Sequence, residues 1–98
     1  MIKEVTFYYP KELVCSKELY KIRVGYDFDY LLMCKYTKNI VRDLRNYKNG
    51  KLIVKVKINW FNSRKFDKFL KEKYSRTKII YTTKNIYGGN IYNENGSN

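Results

Sequence analysis

The chain has no histidine, no alanine, no glutamine and one proline, and its 9 acidic residues face 21 Lys and Arg, a net charge of +12. Without histidine the commonest general base and metal ligand is missing, and a Cys–His nucleophile is excluded. Cys15 and Cys34 are too few for a disulfide framework and lack metal-ligand spacing, so they read as free thiols of a reducing compartment. The longest apolar run, Tyr30-Leu31-Leu32-Met33-Cys34, is far too short to span a membrane. The start, Met1-Ile2-Lys3-Glu4-Val5, does not have the basic-then-apolar layout of a signal peptide. No Walker loop, dinucleotide fingerprint or zinc-ligand set is present. Asp27 and Asp29 come nearest to a carboxylate metal site, but no third acid stands beside them, and both suit a strand–helix junction. These absences predict a non-enzyme with no catalytic residue, no metal and no cofactor. A metal-independent ribonuclease working through Arg, Lys and Tyr is a third reading without a motif behind it.

What is abundant is positive charge. A net +12 on 98 residues sets a field that draws phosphate polymers or acidic proteins before any specific contact forms. Lys, Asn, Ile, Tyr and Phe share A/T-rich codons, so an AT-rich genome accounts for 11 Tyr and 10 Asn. Acidic residues have A/T-rich codons too, so base composition does not explain why Lys outnumbers them. This profile suits an AT-rich cellular genome, a virus or a mobile element, with the protein in the cytoplasm, that of the host if viral.

The apolar fraction of 44% supports one packed domain over residues 1–84. So small a core gives modest stability unless the chain forms a homodimer. Ile2 to Tyr9 alternates as a strand with Val5, Phe7 and Tyr9 on one face. Tyr20, Ile22, Val24, Tyr26, Phe28 and Tyr30 alternate with polar residues and predict a second strand, with Gly25 at a bend. From Leu31 to Lys48 the period becomes helical, with Met33, Tyr36, Ile40, Leu44 and Tyr47 on one stripe and a stop at Asn49-Gly50. An Asn-Gly hairpin is the rival reading there. Lys51 to Trp60 is a strand with Leu52, Val54, Val56, Ile58 and Trp60 inward. Asn62 or Ser63 caps a second helix with Phe66, Phe69, Leu70 and Tyr74 inside and Arg64, Lys65, Lys68 and Lys71 outside. Lys78 to Thr83 is the last strand, with Ile79 and Ile80 in the core. Residues 85–98, rich in Asn, Gly and Tyr, form a tail that is either a hairpin or disordered.

The expected fold is therefore α+β in the order β-β-α-β-α-β. A small mixed sheet has both helices on one face and its last three strands parallel. That order differs from the β-α-β-β-α-β of an RNA-recognition motif, and no Lys/Arg-Gly-Phe signature appears. Two cationic sets emerge as candidate binding residues. Lys35, Lys38, Arg42 and Arg45 form a stripe on the first helix. Lys21, Arg23, Lys55 and Lys57 lie on strand faces opposite the core. The helix stripe is preferred, because its spacing does not depend on strand order. The leading expectation is a small basic protein that binds the phosphate backbone of DNA or RNA, with no membrane partner. The alternative is a non-enzymatic inhibitor or adaptor that docks on an acidic host or defence protein.

Overall fold

The computed structural model describes residues 1–86, so all but Asn85 and Ile86 of the expected tail lies outside the described residues. The chain is α+β: strand β1 (Ile2–Tyr8), helix α1 (Lys17–Leu32), strands β2 (Thr37–Asp43) and β3 (Lys51–Ile58), helix α2 (Ser63–Tyr74) and strand β4 (Ile80–Ile86). The strands form one sheet in the order β2-β3-β1-β4, and every neighbouring pair is antiparallel. Each helix joins two strands that run the same way with an opposed strand between them, a split β-α-β unit used twice. Both helices bury their apolar stripes in one cluster with Val5, Phe7, Leu52, Val54 and Val56, so they share one sheet face as expected.

The middle of the chain differs from the sequence-based expectation. The predicted strand from residue 19 is α1, and the predicted helix over 31–48 contains β2, so the element order is β-α-β-β-α-β. The sheet is antiparallel rather than mixed, with β1 inside it. Ser16 starts α1 by accepting the Leu19 N–H at 3.1 Å, a side-chain N-cap. The helix then buries Tyr20, Val24, Asp27 and Leu31, spaced i, i+4, i+7, i+11, while Leu19, Ile22 and Tyr26 face outward. Because apolar residues sit on both sides of α1 and an aspartate sits in its inner stripe, the alternation of period two is accidental. Among the described residues β2 is an edge strand paired with β3, and it carries β-branched Thr37, Ile40 and Val41. Gly50 does adopt the left-handed conformation, at φ 65, but in the connection between β2 and β3 rather than after a helix. The hairpin reading of this stretch was the sounder one.

β1, β3 and α2 match the expectation closely. Val5, Phe7, Leu52, Val54, Val56, Phe66 and Leu70 are fully buried. Three details change. Trp60 lies beyond the end of β3 in a single 3-10 turn and points to solvent, Ile80 is exposed, and neither Asn62 nor Ser63 makes a side-chain capping bond. Ser63 Oγ instead accepts the buried Lys3 ammonium at 2.6 Å, and Lys3 also pairs with Asp67 at 2.8 Å. This pins α2 across β1.

Gly25 gives the first testable consequence. It sits inside α1, and a methyl group built there meets nothing within 4 Å. Gly25→Ala should therefore stabilise the protein by about 0.5–1 kcal/mol, the ordinary helix-interior gain. Thermal unfolding checks this. A fall in Tm would mean that the segment is not an unhindered helix.

Candidate functional site

The predicted helix stripe does not exist as one surface. Lys35 lies in the α1–β2 loop and Lys38 on β2. Arg42, also on β2, lays its guanidinium over the Phe28 ring at 4.7 Å. Arg45 follows β2 and grips Asp43 at 2.6 Å, which holds the Asp43 carboxyl below its usual range. The second set separates as well. Lys21 and Arg23 are on α1, on the helical side of the molecule, where Arg23 binds the buried Asp27. Lys55 and Lys57 alternate away from the core residues of β3, on the face without helices. Lys55 is held by Glu4 at 3.6 Å. That face presents Ile2, Glu4, Thr6 and Tyr8 on β1 and Lys51, Ile53, Lys55 and Lys57 on β3. Among the described residues of β1 and β3 that face carries one aromatic ring, Tyr8, with the Lys51 ammonium 5.4 Å from its centroid. The element order is that of an RNA-recognition motif, but the paired aromatics which stack bases on the two central strands of such motifs are absent here. Tyr81 on β4 packs against Phe7, and Tyr87 and Tyr92 lie outside the described residues.

A third set, expected on the outer side of the second helix, is kept together by the fold. Arg64, Lys65, Lys68 and Lys71 are all exposed along α2, spaced i, i+1, i+4, i+7 and opposite its buried Phe66, Leu70 and Tyr74. They span about 10 Å of helix at 1.5 Å per residue. None of the four makes an ion pair among the described residues, whereas Asp27, Asp43, Asp67, Glu4 and Glu12 are each taken by another cation. Lys65 extends the set sideways. Its ammonium and that of Lys35 both lie over the Tyr36 ring, at 5.4 and 5.6 Å, in a cleft of about 470 Å³ lined also by Met33, Lys68 and Phe69. Two like charges thus lie at one ring, and among the described residues Glu72 is the one acid in the lining.

At its N-terminal end the stripe meets two rings. Trp60 and Phe61 are 76% and 62% exposed, stand at 86° with centroids 6.0 Å apart, and border a second cleft with Met1, Ser63, Arg64 and Asn85. The sequence placed Trp60 inside because it continues the alternation of β3. The only available contrary signal was Asn59, which breaks the strand one residue earlier.

The most constrained polar cluster serves the fold. The Asp27 carboxylate is fully buried, accepts the hydroxyls of Tyr9 at 2.6 Å and Tyr74 at 2.7 Å, and is bound at both oxygens by Arg23. Burial, followed for each by its interactions with Asp27, pushes the Tyr9 and Tyr74 hydroxyls far above the ordinary tyrosine value. Asp29 is exposed and does not join this cluster. Cys15 and Cys34 are unbridged. Among the described residues no three His, Cys, Asp or Glu side chains gather as a metal site, and no helix is long and apolar enough to cross a membrane. Comparison with protein-family models, curated proteins and solved structures finds no match to this chain.

Proposed function

We propose that this protein binds nucleic acid through the basic face of α2, with Arg64, Lys65, Lys68 and Lys71 on phosphates and Lys35 beside them. The observation that carries the reading is that the four α2 cations lie together on the outer side of one helix and make no ion pair among the described residues, whereas Asp27, Asp43, Asp67, Glu4 and Glu12 are taken by other cations. Long side chains on one helix face can reach successive phosphates of a strand, each neutralised phosphate releasing counterions. We take a cytoplasm as the compartment, on the two unbridged cysteines. A viral or mobile-element source would suit the AT-rich composition.

Mobility shifts with DNA and RNA test this directly. Affinity should fall by orders of magnitude between ~50 and ~200 mM salt. Replacing Lys65 and Lys68 with Glu should lower affinity at least tenfold and flatten the salt slope. Stability should change by no more than about 0.5 kcal/mol, as for other exposed positions. The same reversal at Lys55 and Lys57 is the comparison. Loss of binding from that pair alone would move the interface to the open sheet face. Failure of every nucleic acid to bind at ~50 mM salt would overturn the reading and favour an acidic protein partner.

A further inference from the structure

We infer that Trp60 and Phe61 form a stacking platform for an unpaired base, so that the nucleic acid bound is single-stranded. This rests on the nucleic-acid reading above and specifies its substrate. Trp60 is, with Met33, the most exposed large apolar side chain among the described residues, and Phe61 stands beside it at 62%. Their position gives them a use. They occupy the turn between β3 and α2, at the head of the cation stripe, with Arg64 in the same cleft of about 460 Å³. A base laid on one ring would bring its 5′ and 3′ phosphates toward Arg64 and the lysines that follow it along α2. Rings stack on any base face, and cations hold the backbone between bases, which is how proteins grip single strands without reading sequence. A duplex offers its phosphates but keeps its base faces covered, so it would engage the cations and leave the rings idle. The surrounding charge argues against an apolar protein surface as the occupant, because docking one would desolvate Arg64 without a counter-charge.

Trp60 is the chain's single tryptophan and reports on its own surface. The full-length protein is titrated with three probes: an unstructured oligonucleotide of about 12 nucleotides, a blunt duplex, and an abasic phosphodiester of the same length. Tryptophan emission should be quenched by the first and unchanged by the other two. Anisotropy of a labelled oligonucleotide then compares variants. Trp60→Ala should weaken single-strand binding ~5- to 150-fold, the stacking contribution of one base, while abasic and duplex affinity stay unchanged. Trp60→Phe should restore most of the loss. Equal binding by wild type and Trp60→Ala, with no quenching, would overturn the platform and leave the basic-face reading standing. Emission that changes with protein concentration alone would assign the rings to self-association and also overturn it. No binding of any probe would remove both proposals together.

Discussion

Asp27→Ala should destabilise the protein by about 3–5 kcal/mol, the loss measured when one partner of a buried ionic pair is removed. The carboxylate is fully buried in α1 and is the shared acceptor of Tyr9 from the end of β1, Tyr74 from the end of α2, and Arg23 one turn before it. Its removal leaves two enclosed hydroxyls without this acceptor and a partly buried guanidinium without this counter-charge. A domain of this size holds only about 5–15 kcal/mol in total, so the variant should melt at a much lower temperature or fail to fold. Asp27→Asn keeps the volume and should lose less. Tyr9→Phe and Tyr74→Phe should each lose about 1–2 kcal/mol, and their double-mutant cycles with Asp27→Asn should show coupling. Chemical denaturation measures all of these. A loss below ~1 kcal/mol for Asp27→Ala would mean that the cluster does not hold the elements together.

The same cluster should make the protein sensitive to alkali. Tyr9 and Tyr74 hold their protons far more tightly folded than unfolded, where the value is close to 10. Each tyrosine therefore contributes stability that is fully present below about pH 10 and is lost as pH climbs toward the raised folded value. In that range the unfolded chain releases protons that the native state retains, so each residue removes about 1.4 kcal/mol per pH unit, roughly 3 for the pair. Stability followed by circular dichroism should fall steeply above about pH 10, and the tyrosinate absorbance that the wild type shows in excess of a variant lacking both hydroxyls should rise together with unfolding rather than before it. The Tyr9→Phe/Tyr74→Phe double variant should be less stable at neutral pH yet show a shallower alkaline slope. Lysine titration affects both proteins alike, so the difference in slope is the readout. Parallel slopes would show that these hydroxyls titrate in the folded state.

Much of the architecture was legible from side-chain pattern alone. Val5 and Phe7 in β1, Leu52 to Ile58 in β3 and Phe66, Leu70 and Tyr74 in α2 each follow one clean period with polar residues opposite. A segment with one buried face leaves that signature whatever surrounds it. The chain's net charge, the lack of histidine chemistry and the cations outside α2 were equally fixed by composition. Tertiary structure decided the rest. α1 is apolar on two sides, because its inner face packs on the sheet while Leu19, Ile22 and Tyr26 remain outward, and two superposed helical stripes mimic a strand. β2 shows the converse, an edge strand with one half-covered face, whose strandhood comes from pairing with β3. Asp27 reads in the sequence as an acid of a strand–helix junction, since the hydroxyls of Tyr9 and Tyr74, which with Arg23 make an inward carboxylate tolerable, reach it only through folding. Which lysines act together also depended on folding. A charge repeat shows that residues share a face only if the segment takes that period, and Lys35, Lys38, Arg42 and Arg45 lost theirs when their helix proved to be a loop and a strand.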